Sequence, residues 1–217
     1  MSKNYFSKKE ALTFGYNSFK KNYKLLILVV VFLLIIANVP EVGMGMFDGK
    51  ELPFIMTISL FIIGLVFWAL EVILSMGLIR ISLKLLHEKK AVFVDLFHDI
   101  NHFLDYIVAS ILYILATAAG LILLIVPGII FMVRFQYFGF FIIEKKFGPV
   151  ESLKASWHVT DGVVINILLF NILLILINVL GAIVFVVGLL VSIPVSMMAN
   201  VHVYNKLQTR LKSADTK

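Results

Sequence analysis

Cysteine is absent from the 217 residues. That excludes a disulfide framework, a thiolate nucleophile and any Cys-based zinc or iron–sulfur centre. Charge is also scarce: charged residues make up 15% of the chain, against about 25% in soluble domains. No Gly-rich phosphate loop, nucleophile elbow or His-Glu-x-x-His run occurs, so none of the common catalytic frameworks is written in the chain. What is abundant is apolar surface, at 61% of residues where soluble proteins run at roughly 45–50%. The net charge of +6 sits beside the apolar blocks and is not gathered in a soluble basic domain. The expected partners are therefore membrane lipids and their anionic headgroups, and no nucleic acid is expected.

The apolar blocks run approximately Leu25 to Val39, Phe54 to Ile79, Tyr106 to Ile143 and Val163 to Tyr204. The first is short, but no small-x-small cleavage site follows it, so it reads as a retained span and not a signal peptide. As single helices the last two would stretch beyond about 55 Å at ~1.5 Å per residue, against a hydrocarbon core of about 30 Å. Each must fold back once, which brings the total to six spans in three hairpins. Val126-Pro127-Gly128-Ile129 has the residues of a type II turn and is the expected turn of the third block. In the fourth block Gly181, Gly188 and Pro194 compete. The tolerance of proline in a first helical turn favours a turn between Gly188 and Pro194.

Lys and Arg set the orientation, because cytoplasmic loops collect them. They cluster at the N-terminus (Lys3, Lys8, Lys9, Lys20, Lys21, Lys24), in the second connection (Arg80, Lys84, Lys89, Lys90), in the fourth (Lys145, Lys146, Lys154) and in the tail (Lys206, Arg210, Lys212, Lys217). Across the membrane only Lys50 stands, beside Glu41, Asp48 and Glu51. Both termini are expected on the cytoplasmic side of a bacterial inner membrane.

A segment of helical period with one charged face precedes each hairpin. The first groups Leu12, Tyr16, Phe19 and Tyr23 against Glu10, Asn17, Lys20 and Lys21. In the middle one, Asp95, His98, Asp99, His102 and Asp105 oppose Phe93, Leu96, Phe97, Ile100, Phe103 and Leu104. The third, opened by Pro149, sets Val150, Leu153 and Trp157 against Lys154 and His158. All three read as amphipathic helices lying in the interface. The first and third align at a constant offset of 141, Glu10 with Glu151 and Leu12 with Leu153, with Tyr16 opposite Trp157. Pro53, Pro127 and Pro194 fall near the start of the returning helices. The expected fold is all-α, one integral membrane domain over 1–217, built from three units of surface helix and hairpin: 1–90, 91–147 and 148–217.

Ionisable residues inside spans are costly and face protein or water, which singles out Glu71 and Arg134. Glu71 precedes Arg80 by nine residues and Arg134 precedes Glu144 by ten, so both lie about 13–15 Å from the cytoplasmic ends of their helices. That depth permits a pair. The functional reading is a substrate, ion or proton site; the structural one is an interhelical ion pair or a protonated Glu71. Asn171 and Asn178, seven residues apart, share a helix face and either line a polar path or join helices by hydrogen bonds, as does Asn166 nearby. Gly188, Ser192 and Ser196, and likewise Ala116 and Gly120, form small-residue ridges for close packing. His98 and His102, at i and i+4, imitate a metal-binding face, but an interfacial helix needs a solvated face of this kind anyway. No metal and no cofactor is assigned.

The run Gly120-Leu-Ile-Leu-Leu-Ile-Val-Pro127-Gly128-Ile-Ile-Phe-Met-Val-Arg134-Phe, with Gly148-Pro149-Val-Glu151-Ser-Leu-Lys-Ala-Ser156-Trp157-His-Val-Thr160-Asp-Gly162 after it, carries a resemblance. It resembles a little-characterised bacterial family of membrane proteins that also supplies the membrane domain of some glycerophosphodiester phosphodiesterases. The likeness continues from Pro194 to Tyr204, covers about half the chain well, and reaches the N-terminal half by pattern alone. It implies a six-helix inner-membrane protein and brings no catalytic residues, because the phosphodiesterase domain has no counterpart here. The leading expectation is a non-enzymatic protein that binds, or assists the movement of, a lipid-like or amphipathic molecule. The alternatives are a scaffold or accessory subunit of a larger membrane complex and an ion-coupled transporter.

Overall fold

The computed structural model describes residues 6–45, 53–184 and 187–215. Among them the elements are helices: α1 (Lys8–Gly45), α2 (Phe54–Leu86), two short 3₁₀ turns (Phe93–Phe97 and Ile100–His102), α3 (Phe103–Leu123), α4 (Ile125–Phe135), α5 (Phe138–Lys145), α6 (Pro149–Val159), α7 (Val164–Ile183) and α8 (Leu189–Asp215). Five stretches are long and apolar enough to cross a membrane, namely Lys8–Gly43, Phe54–Leu86, Phe93–Leu123, Ile125–Lys145 and Val164–Ile183. The chain is thus all-helical, in the pattern of a multi-pass membrane protein. In α8 the apolar run gives way to Asn200, His202, Asn205 and Lys206, so α8 does not qualify by the same measure. Lys3, Asp48, Lys50, Glu51 and Lys217 lie outside the described residues, as does the side chain of Lys212.

Exposure divides the bundle lengthwise. At one end lies the packed core, centred on α5, where every residue from Phe138 to Ile143 is buried. Tyr204 of α8 stacks on Phe140 there, with ring centroids 4.6 Å apart. At the other end Ile122 and Leu123 are 85% and 77% exposed, and Ile183 and Val184 are likewise bare. Aliphatic surface in such quantity is stable only in a solvent as apolar as itself.

The first surface segment is continuous with its span. α1 bends at Asn22 (φ −124°, ψ 24°), whose amide donates to the Ser18 carbonyl at 3.1 Å. The part before the bend packs on α8: a Cβ added to Gly15 would lie 2.4 Å from the Val195 carbonyl oxygen, and Glu10 meets Lys206 at 2.8 Å.

Both expected turns lie elsewhere than the proline and glycine signals indicate. The α3–α4 reversal occurs at Leu124, which is extended (φ −161°, ψ 143°), and Pro127 and Gly128 belong to the first turn of α4. Proline is comfortable there because its missing N–H has no intrahelical partner to lose. Gly128 instead serves contact, since a Cβ on Gly120 would come within 2.8 Å of the Gly128 Cα. α7 ends at Ile183 and α8 begins at Leu189, so the chain reverses before Leu189, and Pro194 lies inside α8. Gly181 and Gly188 face each other, and a Cβ on Gly188 would sit 2.3 Å from the Gly181 carbonyl oxygen. Gly120 with Gly128, and Gly181 with Gly188, mark where two backbones touch close to each reversal.

Candidate functional site

The middle surface segment keeps part of its expected arrangement, with Leu96 buried and His98 exposed, but two members of its polar face turn inward. Asp95 and Asp99 are buried, not solvated, while Val94 and Leu104 are more than 70% exposed. The segment forms 3₁₀ turns instead of an amphipathic α-helix because its carboxylates have partners inside. Asp99 accepts from Arg80 at 3.0 Å and from Lys146 at 2.7 Å. Asp95 accepts from Lys84 at 2.5 Å and from the Val92 backbone N–H at 2.8 Å. Burying a carboxylate is tolerated when it is both paired and hydrogen-bonded. This clasp ties α2, the 93–102 segment and the end of α5 together. Helical periodicity alone could not reveal it, because the partners are supplied by two other elements. His98 is exposed and His102 meets Asp105 at 3.4 Å. Among the described residues no three His, Asp or Glu side chains converge as a metal site.

Glu71 and Arg134 are not brought together. Arg134 ends α4, where the helix breaks before α5, and its Nη1 donates to Asp161 Oδ1 at 3.0 Å. Its guanidinium carbon stands 4.2 Å from the centre of the Trp157 ring. The side chain is 17% exposed and that of Asp161 is 70% exposed, so the pair lies at the surface of the bundle.

The break itself is stitched by α6. The backbone N–H of Tyr137 donates to Ser156 Oγ at 3.1 Å, and the Ser156 hydroxyl donates to the Arg134 carbonyl at 2.7 Å, with the Thr160 hydroxyl 3.3 Å from the same oxygen. Ser156 therefore satisfies two backbone groups freed by the break, at a fully buried position. Sequence reasoning placed Ser156 in a recognisable run and opposite Gly15 in the repeat alignment, and gave Thr160 and Asp161 no role. The readable signal is their spacing, since Ser152, Ser156 and Thr160 share one face of α6. Ser156→Ala is expected to cost about 2 kcal/mol, the penalty of orphaning a buried backbone group. A denaturant titration of the purified protein would measure it.

Glu71 is half-buried in a groove of about 270 Å³ between α1, α2 and α8, against Leu33, Ala37, Leu74 and Ile193. No ion pair reaches it among the described residues. A second, larger groove of about 470 Å³ lies between α3, the end of α4 and α6. Leu112, Ala116, Phe135 and Trp157 form its apolar walls, and Lys154 and His158 supply its polar lining. Asn171 and Asn178 are engaged between helices: Asn171 donates to Gln136 Oε1 at 2.9 Å and Asn178 to Ser196 Oγ at 3.1 Å. The small-residue ridge of α8 is used for contact with α7, where Gly181 faces Ser192.

No family model matches the chain, and no solved structure matches it. Over 101 residues it is 28% identical to an uncharacterized protein of Mycobacterium tuberculosis, and at the same identity to an uncharacterized protein of Mycobacterium bovis. The match covers 46% of this chain and 31% of each relative, so the chain spans about a third of the length of the proteins it resembles.

Proposed function

We propose that the chain is a non-enzymatic protein of the bacterial inner membrane that binds an amphipathic, lipid-like molecule, or assists its movement, in the groove between α3 and α6. In this reading α8 is a sixth span, the three hairpins run up and down, and both termini face the cytoplasm, where the Lys-rich segments gather. The resemblance drawn from the runs Gly120–Phe135 and Gly148–Gly162 is compatible with a membrane-embedded role of this kind.

One observation carries the proposal: a groove of about 470 Å³ whose walls are apolar and aromatic and whose remaining lining is Lys154 and His158. Ligand pockets commonly span about 300–1,000 Å³ and combine apolar walls with a few polar groups. An apolar tail against Leu112, Ala116 and Phe135, with an acidic or polar head at Lys154, matches this lining. The groove beside Glu71, at about 270 Å³, is below that range and suits only a chain segment.

Native mass spectrometry of protein extracted in mild detergent tests the proposal. A discrete amphiphile is expected to be retained by the wild type and lost from Ala116→Trp, which fills the groove, with the thermal midpoint lowered by less than the loss of the ligand explains. An amphiphile held equally by Ala116→Trp, or none held by the wild type, overturns it.

A further inference from the structure

A second site stands on the other side of α5. The ends of α2 and α5 border an open cleft of about 460 Å³ lined by Arg80, Lys84, His87, Lys89, Lys145 and Lys146. Three of these cations are held from behind. Asp99 and Asp95, with side chains 3% and 7% exposed, fix Arg80, Lys146 and Lys84, whose own side chains are 22–45% exposed. A buried carboxylate behind a part-exposed cation restricts its rotamers without occupying all its N–H groups, since an ammonium carries three donors and a guanidinium five. Such restriction is what makes an anion site preorganised. The His87 Nδ1 lies 2.8 Å from the Leu83 carbonyl within the same helix.

Backbone conformation points to the same place. Two non-glycine residues have positive φ among the described residues, Glu88 (55°) and Lys146 (61°); Lys146 lines this cleft, and Glu88 stands between His87 and Lys89, which do. Each follows the end of a helix, where glycine adopts the left-handed conformation without steric cost and other residues do not. At Lys146 the side chain justifies the strain, because it delivers an ammonium to Asp99 and to the cleft together.

The charge count selects the ligand. Arg80, Lys84, Lys89, Lys145 and Lys146 are set against Asp95, Asp99 and Glu144, a surplus of two positive charges. The carbonyl ends of α2 and α5 each act as roughly half a negative charge, which leaves about one. A phosphodiester carries one negative charge, whereas a phosphomonoester carries about −1.5 to −2 and would be left partly uncompensated. We infer that the cleft between the ends of α2 and α5 binds the phosphodiester headgroup of an anionic lipid. The cleft lies where two apolar helices end. It shares no residue with the α3–α6 groove, so the two readings stand or fall separately.

The test uses the full chain in non-ionic detergent, titrated with dioctanoyl phosphatidylglycerol. Dioctanoyl phosphatidylcholine serves as the zwitterionic control and inorganic phosphate as the soluble source of the same chemistry. Native mass spectrometry reads occupancy and thermal unfolding reads integrity. Phosphatidylglycerol is expected to bind at least about tenfold more tightly than phosphatidylcholine, since each cation beside an anionic headgroup contributes about fivefold and several line the cleft. Lys89→Gln with Lys145→Gln leaves the Asp95 and Asp99 clasp untouched and is expected to weaken binding about thirtyfold, with the lipid-free thermal midpoint unchanged. Lys145→Glu alone provides a second variant with the same direction of change. Equal binding of the two lipids, or binding indifferent to both variants, overturns the assignment. Inorganic phosphate that competes as tightly as phosphatidylglycerol overturns the lipid as its source. Ala116→Trp is expected to leave this binding intact.

Discussion

Asp99→Ala is expected to destabilise the protein by about 3–5 kcal/mol, the range found when one partner of a buried ion pair is removed and the other is left uncompensated. Here two cations lose their partner at once. Asp99 receives Arg80 at 3.0 Å and Lys146 at 2.7 Å, and its own side chain is 3% exposed. Two features keep the loss from being larger. Lys146 is 45% exposed and can turn to water, and Lys84 retains Asp95. Unfolding in a denaturing detergent, followed by circular dichroism, would measure the change. Asp99→Asn, which keeps the shape and one acceptor, should lose less than Asp99→Ala. If both behave like the wild type, the clasp contributes nothing to the fold. Because Arg80 is tethered by Asp99, both variants should also loosen the cleft.

Gly77→Ala is expected to cost about 3 kcal/mol, at the upper end of the range for overpacking. The reason is what the added carbon meets. It would lie 2.2 Å from the Leu96 carbonyl oxygen and 2.3 Å from the Leu96 Cα, and backbone cannot yield by rotating a side chain. The 93–97 turn would have to back away from α2, pulling Phe93 from its edge-on contact with Phe32, where the ring centroids are 5.2 Å apart. The distance from Asp95 to Lys84 would open with it. The same denaturation series reads the effect, and Gly64→Ala is the control, since a Cβ there meets nothing within 4 Å. Equal stability of the two variants would refute the close-packing argument.

The readable part of this fold was the part governed by hydrophobic length. Block lengths indicated that Tyr106 to Ile143 and Val163 to Tyr204 each fold back, and helix breaks occur inside both. The reversals were misplaced by a few residues because Pro127, Gly128 and Gly188 look the same whether they make a turn or let two helices touch beside one. The middle surface segment was misread for a related reason. A run of Asp and His at helical spacing is written identically for water and for buried cations, and only the tertiary arrangement of Arg80, Lys84 and Lys146 decides between them. Arg134 was singled out as an ionisable residue within a span, but its partner Asp161 comes from a connection whose position no local pattern specifies. The cleft residues had been counted only as orientation signals, since a pocket between two helix ends has no local sequence pattern of its own.

The stitched break between α4 and α5 also sets an order of events during synthesis. The Tyr137 N–H and the Arg134 carbonyl are completed by a serine 19 and 22 residues further along the chain. At about 5–20 residues per second, Ser156 emerges roughly 1–4 s after them. Until then the break presents bare backbone polar groups, which hydrocarbon does not accept. The break between α4 and α5 is therefore completed only when α6 has arrived, and the three helices are finished together rather than one after another.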